Sequence, residues 1–171
     1  MMQDDRHSMI RVDQAGEYGA ARIYAGQLAV LGNRHSASRS IRHMAAQEQR
    51  HLDRFNAMMA ERGVRPTLLQ PFWHVAGFAL GAVTAAIGPE AAMACTAAIE
   101  TEIDQHYGEQ LEALGSDDAE LSEAIADFRS EEVEHKATAL AEGAERAPAY
   151  PLLSATIRLG CKMAIQLSKR I

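Results

Sequence analysis

Aromatic residues make up only 5% of this 171-residue chain, and a single tryptophan is among them. Alternating apolar and polar runs rich in Val, Ile and Thr are missing, which excludes a sheet-based sandwich or barrel. The two cysteines, Cys95 and Cys161, lack metal-type spacing and lie in apolar surroundings. Zinc-ribbon and disulfide-framework folds are therefore set aside, and two reduced, buried thiols suit a cytosolic or matrix-like compartment. A net charge of −6 argues against nucleic acid as a partner. The opening MMQDDRHS has no apolar core, so no secretory signal is expected. Neither a Gly-rich dinucleotide fingerprint nor a Cys-x-x-Cys pair occurs.

Alanine-rich segments of helical period fill the chain, whose length suits one well-cored domain, taken as residues 1–171. The spacing predicts helices over Met9–Leu31, from Ser36 or Ser38 to Gly63, Pro89–Leu114, and from an N-cap at Ser116 to Ala147. No Asp, Glu, Lys or Arg falls between Arg65 and Glu90. Within that stretch Phe72–Ile87 reads as a short apolar helix, too short to span a bilayer comfortably. A buried crossover helix, a surface dipping into a membrane and a true span all stay open for Leu68–Ile87. A last, amphipathic helix from Leu152 to about Ser168 carries Arg158, Lys162, Lys169 and Arg170. It is read as a lid on the bundle or a contact to anionic lipid.

The anomaly lies on the inner stripes of the long helices. Glu17, Glu48, Glu100 and Glu132 fall where helical spacing calls for hydrophobes, and His51 and His135 each follow a Glu by three residues. Such a pair is separated by about 60° and ~4.5 Å along a helix, so both side chains can grip one ion. Glu17 precedes Glu48 by 31 residues and Glu100 precedes Glu132 by 32. A lone Glu-x-x-His is commonplace as a surface pair; two on inner stripes, with matched upstream Glu residues, are not. Glu102 and Glu134 turn away from the stripes, whereas Glu131 is less securely excluded as an alternative to Glu132. Buried carboxylates cost several kcal/mol each unless compensated, and no Lys or Arg sits on these stripes. Two divalent cations balance four carboxylates, and oxygen ligands with one imidazole per ion suit iron or manganese. The expected fold is thus all-α, a ferritin-like four-helix bundle with an additional short apolar helix between helices 2 and 3 and a C-terminal amphipathic helix. Glu48 and Glu132 are expected to bridge the ions, with Asp13 and Asp104 as partners of the imidazoles. His106, beside Tyr107, stands apart from the other histidines, which read as surface or satisfied polar groups.

RVDQAGEYGAARIYAGQLAVL, QEQRHLDRFN, RPTLLQPFW, GFALGAVTA, AMACTAAIE, EEVEHK, APAY and GCKMAIQLSKRI resemble the demethoxyubiquinone hydroxylases of ubiquinone biosynthesis, over nearly the whole chain. Thr101 follows Glu100 where some relatives carry a second Glu. The resemblance implies a membrane-associated di-iron monooxygenase that hydroxylates the ring of demethoxyubiquinone or demethoxyubiquinol in the penultimate step. It implies two Fe ions held by Glu17, Glu48, His51, Glu100, Glu132 and His135, O2 as co-substrate, and NADH or another external donor. Tyr107 and His106 are then candidates for electron or proton relay. Expected partners are a polyprenyl quinone or quinol, the membrane surface, a lipid-binding protein of the same pathway, and a second copy of the chain. The expected place is peripheral, on the cytoplasmic face of a bacterial inner membrane or the matrix face of a mitochondrial one. Leu68, Phe72, Trp73, Phe78 and Leu80 are candidates for membrane or tail contact. The competing readings are a ferritin- or rubrerythrin-type iron oxidase or peroxide scavenger, which shares the ligand plan, and a non-catalytic metal-stabilised bundle.

Overall fold

The computed structural model describes residues 2–33 and 35–170. Every regular element among them is helical: α1 (Gln3–Leu31), α2 (Ala37–Arg62), α3 (Gln70–Ile87), α4 (Pro89–Leu114), α5 (Ala119–Ala141), a 3₁₀ turn (Ala144–Arg146) and α6 (Tyr150–Arg170). α1 and α2 form one antiparallel pair and α4 and α5 the other; α3 packs on α1, and α6 on α4 and α1.

The ends follow from local chemistry. Gly32 and Gly115 take positive φ after α1 and α4, which lets the chain reverse into α2 and α5. α4 starts on Pro89, whose missing N–H costs nothing in a first turn. α1 begins six residues before its expected start, where the Met2 amide donates to Asp5 and, a turn later, Ser8 donates to the Lys169 carbonyl. α5 is capped by Asp118, which accepts from the Leu121 amide, and not by Ser116. It stops at Ala141 rather than running to Ala147, since Gly143 turns the backbone with φ of 99°.

Alanine content is explained by α4, where every residue from 91 to 100 is buried among neighbours on all sides. α1 and α3 meet still more closely. A Cβ on Gly81 would run into the Ile23 carbonyl, and one on Gly26 into the Phe78 carbonyl. Small residues in the apolar excursion therefore serve a helix–helix contact. Among the described residues no helix is long and apolar enough to cross a membrane, which removes the spanning reading of Leu68–Ile87.

Candidate metal centre

All six expected residues point into the middle of the two helix pairs, each at most 3% exposed. α1 brings Glu17, α2 Glu48 and His51, α4 Glu100, and α5 Glu132 and His135. Their ligand atoms form two groups, Glu17/Glu48/His51/Glu132 and Glu48/Glu100/Glu132/His135, each with its atoms within 4.8 Å of one another. Glu48 and Glu132 belong to both.

The cluster fits divalent cations on the chemistry of its own atoms. Among the described residues no Lys or Arg pairs with any of the four carboxylates; their ionic contacts are His51 and His135. Glu48 Oε1, Glu132 Oε1 and His51 Nδ1 are buried with no hydrogen-bond partner. His51 Nδ1 nonetheless lies 3.1 Å from Glu132 Oε1 and 3.4 Å from Glu17 Oε2, close but not angled as a hydrogen bond. Buried polar atoms without hydrogen-bond partners around a common centre fit a divalent cation. Burial, and then the neighbouring Glu132, push the Glu48 and Glu100 carboxyls well above their ordinary range. Burial acts on Glu132 in the same sense, but its contacts with His135 and His51 outweigh it and hold the group down at about 2. Burial also disfavours a charged His51, yet Glu132 and Glu17 hold its imidazolium up at about 10. In metal-free protein, protons and one imidazolium thus stand in for positive charge.

Around the six runs a layer that spacing alone did not assign. Tyr107 donates to Glu17, and Tyr24 donates to Glu100 Oε1 at 3.0 Å. Each tyrosine follows its own helix's Glu by seven residues and serves the Glu of the other pair. The repeated seven-residue interval from Glu17 to Tyr24 and from Glu100 to Tyr107 is the sequence signal that marks Tyr24. His51 Nε2–H donates to Glu131 (3.2 Å), and His135 Nε2–H to Gln47 (3.1 Å). The expected imidazole partners Asp13 and Asp104 are elsewhere. Asp13 is buried against His106 and Gln110, and Asp104 accepts from Arg129. Both sit one turn from a ligand on the correct helix, but face away from the imidazoles. His106 makes its polar contacts with Asp13 and Gln110, its ring centroid 6.1 Å from that of Tyr107. Of the candidate relay pair, Tyr107 therefore touches the cluster and His106 lies one layer out. Phe128 stacks on His51 at 4.0 Å between centroids and screens that imidazole from solvent.

Beside the cluster an apolar cavity of about 320 Å³ is walled by α1, α3, α4 and α6. Ala15 and Gly16 line it from the turn of Glu17, and Ile99 and Ile103 from the turn of Glu100. Trp73 and Leu80 line it from α3, and Phe78 is half-buried under Arg22, so of the candidates for membrane or tail contact these three turn from the outer surface. Leu68 and Phe72 do face outward, joined by Val75, Val83 and Ile87 and, on α6, by Leu152, Leu159 and Met163. Arg158 and Lys162 of α6 both reach Glu102, at 2.5 and 3.5 Å. The carboxylate set aside as a ligand thus clamps α6 onto α4.

Fold and site together define an all-α protein of two repeated helix pairs closing on a buried carboxylate–imidazole cluster. The family described as "Ubiquinone biosynthesis protein COQ7" matches residues 4–168, and the chain belongs to it. A 3-demethoxyubiquinol 3-hydroxylase of Rhodospirillum rubrum is 56% identical over 162 residues, covering 95% of this chain and 76% of that one. The human NADPH-dependent 3-demethoxyubiquinone 3-hydroxylase, mitochondrial, is 52% identical over 167 residues, with the same coverage. The Saccharomyces cerevisiae 5-demethoxyubiquinone hydroxylase, mitochondrial, is 41% identical over 179 residues, covering 95% and 77%.

Proposed function

We propose that this chain, acting as one domain over residues 1–171, is a di-iron monooxygenase that hydroxylates the ring of demethoxyubiquinol or its quinone in ubiquinone biosynthesis. The observation that carries this reading is the pair of four-ligand groups sharing Glu48 and Glu132, in a chain whose relatives are named as hydroxylases of that substrate. Those names favour hydroxylation over the iron-oxidase or peroxide-scavenging alternative.

Glu17 and His51 would hold one iron, Glu100 and His135 the other, with Glu48 and Glu132 between them. When bound, the irons supply the reductive activation of O2 that places one oxygen atom on the ring. In balance, a ring C–H, O2, two electrons and two protons give a C–OH and water. The protein's share is positioning. The Tyr107 and Tyr24 hydroxyls hold Glu17 and Glu100 in place from the far side of the bundle. Tyr107 Oη keeps a proton at Glu17, and His106, anchored by Asp13 and Gln110, lies behind it as the next group able to exchange one. The apolar cavity admits a prenylated ring and keeps water out. Electrons arrive from outside, since the sequence carries no dinucleotide fingerprint. The resemblance implies NADH or another external donor, and the human relative's name specifies NADPH.

The exposed side chains of α3 and α6 give the protein an apolar face, with Lys169 and Arg170 at one end for anionic lipid. We place that face on the inner membrane, cytoplasmic side in a bacterium or matrix side in a mitochondrion, where it meets the insoluble substrate or a lipid-binding partner protein. The deciding experiment is anaerobic reconstitution with Fe(II), followed by O2, reductant and a short-tail demethoxyquinol. A product heavier by one oxygen atom is expected. Unchanged quinol with iron fully loaded would overturn the proposal.

A further inference from the structure

Gln47 and Glu131 each stand one residue before a shared carboxylate, at equivalent positions in the two halves, yet one is a carboxamide and the other a carboxylate. They join the outer nitrogens of both imidazoles in one chain. His51 Nε2–H donates to Glu131 Oε2 at 3.2 Å, Gln47 Nε2 donates to the same oxygen at 2.7 Å, and His135 Nε2–H donates to Gln47 Oε1 at 3.1 Å. The amide has only one orientation that satisfies both neighbours: nitrogen toward the carboxylate, oxygen toward the imidazole. Each ring donates through its outer nitrogen and turns Nδ1 inward. That of His135 hydrogen-bonds Glu132 Oε2 at 2.9 Å and lies 3.2 Å from Glu48 Oε1.

The nearer donors to the terminal carboxylates match, since Tyr107 serves Glu17 as Tyr24 serves Glu100. The acceptors behind the imidazoles do not match. A carboxylate behind an imidazole makes its other nitrogen a more basic ligand than a neutral amide does. Arg50 also binds Glu131, at 2.9 and 3.0 Å, but its side chain is 60% exposed and water screens its charge.

We propose that Gln47 and Glu131 are positioning residues that make the two metal positions unequal, so that the Glu17–His51 position holds a divalent cation more tightly than the Glu100–His135 position. This rests on the cluster being a metal site, as the proposed function has it. It adds an order of filling that follows from the amide-for-carboxylate difference behind the two imidazoles.

The test is the full chain crystallised anaerobically with one equivalent of Mn(II), read by anomalous diffraction, with calorimetry of Mn(II) binding alongside. Wild type should show the stronger anomalous peak at Glu17–His51 and a two-step isotherm. Glu131→Gln should weaken the tighter step by about 10- to 100-fold and even out the peaks. The exchange variant, Gln47→Glu with Glu131→Gln, should move the stronger peak to Glu100–His135, a reversal that loss of packing would not produce. Equal peaks in wild type, or an unreversed preference in the exchange variant, overturn the proposal while leaving the metal centre standing. No Mn(II) at either position in wild type overturns both. If the exchange variant does not fold, an isotherm unchanged by Glu131→Gln is enough to refute the proposal.

Discussion

Four carboxyl groups share a buried space that no Lys or Arg enters among the described residues, and the titration of Glu48, Glu100 and Glu132 records it. In metal-free protein, burial keeps Glu48 and Glu100 protonated above the usual range, so stability falls as pH rises past their unfolded values near 4.5. His51, held at about 10 against an ordinary 6.5, contributes stability that is complete below 6.5 and lost as pH climbs through 10. Glu132, held at about 2, contributes above 4.5 and loses that contribution toward 2. Thermal melts in chelator should therefore peak in mildly acidic buffer, near about pH 5, and decline toward pH 10. Metal must displace the same protons, so Fe(II) or Mn(II) affinity should rise over that range; a flat affinity would contradict the site. The place of Glu48 and Glu132 in both ligand groups gives a second expectation. Glu132→Ala should lose both ions and all hydroxylation, whereas His135→Ala should retain the Glu17–His51 ion, as metal analysis per chain would read. Helicity by circular dichroism should persist in both. At this scale the six residues were legible because a carboxylate on an apolar stripe breaks its period. Tyr24 and Gln47 were not, because a stripe tyrosine and a glutamine beside a ligand break no pattern, and their roles reach across to the opposite helix pair.

At the scale of helices, α3 and α6 divide their side chains between cavity and surface. Leu68→Ser with Phe72→Ser should weaken binding to anionic liposomes, measured by flotation, with little effect on the melt. Trp73→Ser should leave flotation nearly intact and raise KM for a short-tail quinol, because Trp73 lines the cavity. Equal effects of the two changes would mean that α3 is not arranged this way. The α1–α3 contact admits no side chain at Gly81, so Gly81→Leu should force the helices apart and cost at least about 1–3 kcal/mol, read from the urea midpoint. The apolar excursion was plain in the sequence, but which of its residues face outward was not. A segment apolar all round has no polar face to orient it, and only packing against Ile23 and Arg22 of α1 fixes its rotation. The same holds for the charged residues of α6: two of its four basic side chains are drawn inward by the buried Glu102.

For the whole molecule, two helix pairs close on a centre that is polar where a core is normally apolar, so a cation bound there would be coupled to folding. Filling the site at about 1,000 times its dissociation constant should stabilise the chain by about 4 kcal/mol, seen as a melting temperature that rises with Fe(II) or Mn(II) and returns with chelator. An unchanged melt would mean that the centre is not a cation site. The all-α class, the four long helices, the repeat relating the halves and the six converging residues were determined by the sequence alone. They follow from period and spacing, which are properties of a helix before it packs. Tertiary structure decided the rest: which tyrosine serves which carboxylate, which groups stand behind the imidazoles, and which apolar side chains wall a cavity or meet solvent. Each of these depends on the rotation of one helix against another, and that rotation is settled only when all the faces are buried together.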